Sequence, residues 1–122
     1  MDILIIILKV IIAAGILNVW LLRFNLKTEW RGDGAGNMNE EFSNYGLPSW
    51  MVPVIGFLKI GFAGLLIISI FKADANLGFI GAVGMGVLMI GAIGMHIKIK
   101  DSPRRSLPAF LMLVMSAIIA FF

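Results

Sequence analysis

Two lysines stand where a charge is expensive. Lys9 and Lys59 each lie inside a long apolar run, and an ionised lysine at the middle of a bilayer costs about 2.5–3.5 kcal/mol on insertion scales. Lys9 is close to the end of its run and is expected to snorkel, laying its stem along apolar surface with the ammonium at the membrane edge. Lys59 is deeper. It is expected to face other helices, near Asn18 or a short loop helix, with Glu40 or Glu41 as its counter-charge. Asn18, also inside an apolar run, reads as a buried side chain hydrogen-bonded to a neighbouring helix. His96 is the only histidine. It shares a helical face with Met85, Met89 and Ala92, and histidine with methionine could ligate copper(I) or one side of a haem. A ring that meets a carbonyl or a headgroup is the alternative. One histidine without a second strong ligand does not make a metal site, so none is assigned. Lys59, Asn18, His96, Glu40 and Glu41 are therefore the candidate binding residues, and no residue is assigned a catalytic role.

Other chemistries lack their parts. The chain has no cysteine, which removes disulfides, thiolate metal sites and cysteine nucleophiles together. No hydrolase triad, phosphate loop or paired-carboxylate site is present. The acids lie near loops, and none is placed for a proton relay inside a membrane. A net charge of +3 is too small to imply nucleic acid.

The elements that position these residues are set by the apolar runs. Of 122 residues, 60% are hydrophobic and 14% charged, and the mean hydropathy is +0.99. A soluble domain of this size could not cover itself with so few polar groups, so lipid is the expected solvent. The runs fall at about 3–22, 51–71, 77–97 and 107–122, with a polar loop at 23–50. Roughly 20 apolar residues cross the hydrocarbon at 1.5 Å each. The first run is expected to be a retained span, because Met1-Asp2 offers no positive charge ahead of it and the run is long for a signal peptide. The fourth begins either at Ser106, as an N-cap with Pro108 in the first turn, or at Ser102-Pro103 with a bend at Pro108.

Within the polar loop, Gly32, Gly34 and Gly36 suggest flexibility. Asn37 can then N-cap, Glu40 follows three residues on, and Gly46 and Pro48 stop the helix. Met38, Phe42 and Tyr45 fall on one face of that helix. The spacing predicts a short amphipathic helix over Asn37–Tyr45, on the membrane surface or tucked against the bundle mouth. Trp20, Trp30 and Trp50 are placed as interfacial anchors. Gly78, Ala82 and Gly86 repeat at every fourth position, a small-residue stripe that lets helices approach; a cavity wall is the alternative. The expected fold is all-α: a four-helix transmembrane bundle, one domain, with a short helix in its first loop.

Charge placement orients it. Arg23, Lys27, Arg31, Lys98, Lys100, Arg104 and Arg105 lie in the first and third connections, against Lys72 in the second. Positive-inside counting puts those two connections in the cytoplasm and both termini outside the cell membrane.

Several strings resemble one family. Glu41-Phe42-Ser43-Asn44-Tyr45-Gly46-Leu47-Pro48-Ser49-Trp50-Met51, continued by Val54-Ile55-Gly56-Phe57-Leu58-Lys59, is similar to the loop and second helix of the DoxX-like membrane proteins. Leu88-Met89-Ile90-Gly91-Ala92-Ile93 leading to His96 resembles their third helix. Asp101-Ser102-Pro103 and Ser106-Leu107-Pro108-Ala109 resemble the entry to their fourth. Order and spacing together carry the resemblance, from about Ala14 onward. It implies a four-helix membrane bundle. Namesake members are associated with a thiosulfate:quinone oxidoreductase and others with membrane redox or assembly roles, so the resemblance brings a quinone and a membrane redox partner into view. Many relatives carry an acid near the position where this chain has Lys59. The expected function is an accessory membrane protein linked to quinone or redox partners, without independent catalytic activity. The alternatives are an oligomeric permease with Lys59 and Asn18 lining the path, and an assembly factor that uses the Asn37–Tyr45 helix as its contact surface.

Overall fold

The computed structural model describes residues 3–22, 24–25, 35–72, 75–100 and 103–122. Trp30, Gly32 and Gly34 lie outside the described residues. Among those described there is no strand, and four helices are long and apolar enough to cross a membrane: Ile3–Leu22, Met51–Lys72, Asn76–Lys98 and Pro103–Phe121. The chain is a multi-pass membrane protein.

Helix α1 (Ile3–Leu17) runs directly into a π-helical turn, Asn18–Leu22. The short helix α2 (Met38–Asn44) follows, then α3 (Met51–Lys72) and α4 (Ala75–Lys98). A 3₁₀ turn, Pro103–Ser106, leads into α5 (Leu107–Phe121). The long helices form a ring in which α1 packs on α3 and α5, and α4 packs between α3 and α5. Inward residues follow helical periods. On α1 they are Lys9, Ile12, Ala13 and Ile16, and on α3 Val52, Gly56, Ala63, Leu66 and Ser69.

Lys9 therefore sits on the buried stripe of its own helix, and it does not snorkel. Its side chain is only 3% exposed. A methyl group built on Gly78 of α4 would lie 3.1 Å from its Nζ and 3.3 Å from Ser69 Oγ. The missing glycine side chain leaves room for the ammonium end beside a hydroxyl, which removes the need to reach for water.

Small residues on α4 serve two neighbours. Gly78, Ala82 and Gly86 are buried, and a Cβ on Gly86 would make ordinary contact with Leu113 and Ser116 of α5, at 3.7 and 3.8 Å. The tightest approach lies on a different face. A Cβ on Gly81 would meet the Phe62 carbonyl oxygen of α3 at 3.0 Å, and one on Gly84 would run into the Phe62 ring. Toward the end of the helix, Cβ atoms on Gly91 and Gly94 would meet nothing within 4 Å. The helix is thus a packing seam along most of its length and an open wall near its end.

The start of α5 uses its serine differently from a cap. Ser106 has helical backbone angles and its Oγ donates to the Pro103 carbonyl at 2.8 Å, so the hydroxyl closes the 3₁₀ turn and makes no cap to α5.

Candidate functional site

At the end of the bundle where α4 finishes, α2 folds down over the mouth. Asn37 caps it, with Oδ1 accepting from the Glu40 backbone N–H at 2.8 Å. Its other end closes through Gly46 N–H to the Ser43 carbonyl and Leu47 N–H to the Phe42 carbonyl, at 2.9 and 3.1 Å. That paired closure needs a left-handed residue, and Gly46 supplies it with φ 78°. Met38, Phe42 and Tyr45 are all buried, so the helix is tucked into the bundle mouth rather than laid on the membrane surface. Two polar ties fix it: Met38 N–H donates to the Phe24 carbonyl at 2.9 Å, and Lys98 Nζ donates to the Tyr45 carbonyl at 3.0 Å.

Beneath α2 is a cavity of about 690 Å³, walled by all five helices. Most of the wall is apolar, with Ile16, Ile55, Met89 and Met112 among its residues. Deeper in the bundle Ile12, Leu66 and Met85, each 0% exposed, fill the core. Val19, Val87 and Gly91 line the cavity and are also exposed on the outside of their helices.

Four of the five candidate binding residues meet at this cavity: Lys59, Asn18, His96 and Glu41. Glu40 does not. It is exposed and on the outer side of α2. Asn18 opens the π turn and lines the cavity, and it is exposed rather than buried. Lys59 falls on the inward stripe of α3, three residues after Gly56 and four before Ala63. Its Nζ lies 5.4 Å from the centroid of the Trp20 ring, a cation–π distance, and Glu41 acts on it coulombically.

Trp20 is no interfacial anchor. It is 6% exposed. It fits because Gly56 has no side chain: a Cβ there would be 2.7 Å from the indole. Phe42 of α2 meets the same indole edge-on at 6.0 Å and 87°. Trp50, by contrast, is 64% exposed at the head of α3.

His96, near the end of α4, is 6% exposed. The Tyr45 hydroxyl donates to Glu41 Oε1 at 2.7 Å and lies 3.2 Å from His96 Nε2. With the phenolic proton given to the carboxylate, the histidine contact uses a phenol lone pair, which assigns the hydrogen to Nε2. The rings of Tyr45 and His96 meet at 70° with centroids 5.6 Å apart. Two elements 51 residues apart in sequence are thereby joined by one buried hydroxyl. Of the proposed methionine–histidine face, Met89 lines the cavity, whereas Met85 belongs to the filled core. No group of three or more His, Cys, Asp or Glu that could hold a metal occurs among the described residues.

Sequence reasoning missed Tyr45, Trp20 and Arg105 as cavity residues. Tyr45 was visible only as an apolar-face member of α2, and Arg105 only as a loop charge. Gly56 gave a faint signal for Trp20, since a buried glycine in a span needs something large beside it.

A bundle of helices long and apolar enough to span a membrane, with an internal cavity closed over by a loop helix, defines a multi-pass membrane protein. The model of the DoxX-like family matches residues 33–118, more than half of the chain, and the chain belongs to that family. The match begins later than the resemblance expected from about Ala14. No curated protein and no solved structure matches the chain.

Proposed function

We propose that this DoxX-like protein is an accessory membrane subunit that holds a lipophilic ligand of the quinone class for a membrane redox partner, without turnover of its own. The observation that carries this reading is the cavity itself. It has room for a ring and the first part of a tail, its walls are mostly apolar, and it lies within a bundle of membrane-spanning helices, the surroundings in which a quinone resides. Lys59 supplies donors for a ring oxygen, and Trp20 a flat surface beside them. The filled core beneath the cavity, at Ile12, Leu66 and Met85, favours a binder over a permease, which needs a path through to the other face.

Trp20 makes the test direct, because a quinone in the cavity quenches its emission. The protein purified in mild detergent is titrated with a short-tailed quinone beside a Trp20→Phe variant. Saturable quenching in the first and only linear, collisional quenching in the second is the expected result. Identical linear quenching in both would remove the quinone reading.

We further propose that the protein resides in the cell membrane with both termini extracytoplasmic. The bias of loop Lys and Arg supports it. A cytoplasm-dependent fluorescent fusion at the C-terminus should be dark and an alkaline phosphatase fusion active; the opposite pair of signals would reverse the orientation.

A further inference from the structure

We propose that the ligand's head carries a negative charge, so that the cavity takes a lipophilic oxyacid anion: a hydroxyquinone in its ionised form or a long-chain carboxylate. This rests on the reading of the cavity as a ligand site and adds the charge that a neutral quinone lacks.

The cavity wall is unbalanced in sign. Lys59 and Arg105 reach it from α3 and from the 3₁₀ turn. Among the described residues, Glu41 is the only acid on the wall. That carboxylate already accepts the Tyr45 hydroxyl at 2.7 Å. An ammonium carries three donors. Among the described residues, Lys59 has the Trp20 ring face at 5.4 Å and the field of Glu41, and no oxygen or nitrogen accepts a hydrogen bond from it. An aromatic face attracts a cation without satisfying its donors.

The position of Lys59 makes this imbalance consequential. It is the ninth residue of α3, about 12 Å along the helix at 1.5 Å per residue. Walls such as Ile16, Ile55 and Met112 lower the dielectric around it, which strengthens a charge pairing made there. An oxyanion in the cavity meets the Lys59 donors directly, with Arg105 on the same wall, and its tail runs along the apolar surface. A neutral carbonyl would fill the same space and accept from Lys59, but would add no negative charge to that of Glu41. The chemistry thus selects an acid with a greasy body over its ester or ether.

The test compares acid and neutralised forms of one skeleton in the folded wild type. The probes are a 2-alkyl-3-hydroxy-1,4-naphthoquinone and its methyl ether, read by Trp20 quenching at a pH where the hydroxyl is ionised. A long-chain fatty carboxylate and its methyl ester are read by displacement of the bound naphthoquinone, or by thermal shift where neither naphthoquinone binds. The acid forms are expected to bind at least about tenfold more tightly than the neutral ones, and Lys59→Met to bring each pair within about twofold while Lys59→Arg keeps the preference. Equal binding of hydroxyquinone and ether overturns the charge inference and leaves the quinone reading standing. Binding of the carboxylate, with neither naphthoquinone bound, overturns the quinone reading and supports the charge inference. No binding by any of the four overturns both. If Lys59→Met does not fold, the acid-to-neutral ratio in the wild type decides alone.

Discussion

Gly81→Ala adds one methyl group where a glycine of α4 lies against the backbone of α3, and the structure sets its expected cost. The new Cβ would lie 3.0 Å from the Phe62 carbonyl oxygen and 3.1 and 3.2 Å from Leu66 Cγ and Cδ2. Non-bonded carbon atoms settle near about 3.5–4.0 Å, so α3 and α4 must part locally by roughly 0.5 Å. Leu66 is 0% exposed and has nowhere to swing, and the Phe62 carbonyl is backbone. Overpacking of this kind costs about 1–3 kcal/mol. Alanine returns about 0.8–1 kcal/mol of helix propensity over glycine. The net expectation is a loss of up to about 2 kcal/mol, or roughly 8 °C in the unfolding midpoint at about 4 °C per kcal/mol. Gly64→Ala is the matched control: its Cβ meets nothing within 4 Å, so the propensity gain stands alone and the midpoint should rise slightly. Gly78→Ala should fall between them, because its nearest neighbour is the movable end of Lys9 at 3.1 Å. All three are measured by thermal unfolding in one mild detergent. If Gly81→Ala and Gly64→Ala move the midpoint in the same direction by the same amount, the α3–α4 approach is not held by the missing side chain.

Three further outcomes follow from the same contacts. Tyr45→Phe removes the hydroxyl that joins Glu41 to the buried His96 and should cost about 1–3 kcal/mol, with faster amide exchange across α2; unchanged exchange there would show that the helix is held without the hydroxyl. Ser116 Oγ is buried with no hydrogen-bond partner among the described residues, so Ser116→Ala should be neutral or stabilise by up to about 1 kcal/mol, and a clear drop in the unfolding midpoint would reveal a partner. Gly91→Trp fills the open part of the α4 wall, where a Cβ meets nothing within 4 Å; the fold should survive, and saturable quenching of Trp20 by quinone should be lost or slowed, which binding assays before and after the substitution would show.

The four spans and the loop helix were readable because they depend on local signals: run length, a cap at Asn37, a stop at Gly46. Lys9 was misjudged because distance from the helix end was weighed and helical face was not. Ile12, Ala13 and Ile16 share its face, and that period turns the lysine inward. Trp20 was misjudged for a related reason. Tryptophan near a span end is usually interfacial, and its burial here depends on Gly56, 36 positions later, a pairing that no local rule reports. The meeting of Tyr45 with His96 is likewise a product of tertiary packing. The meeting of Lys59, Asn18, Glu41 and His96 around one space follows from the ring order of the helices, which hydropathy does not encode.

The change of pitch at Asn18 divides the first span into two rulers laid end to end. A π turn accommodates one residue more than the α-helical ladder before it. Lys9, Ile12 and Ile16 are read by the first ruler, Trp20 and Phe24 by the second. Winding the same residues, 18 to 22, into one continuous α-helical ladder would turn everything downstream by about 100°. Trp20 would leave Gly56, and Phe24 would no longer present its carbonyl to Met38. Relatives whose first span keeps one pitch at the same length should therefore differ at the position of Gly56 as well, the winding of one helix travelling through evolution with the size of a side chain in another.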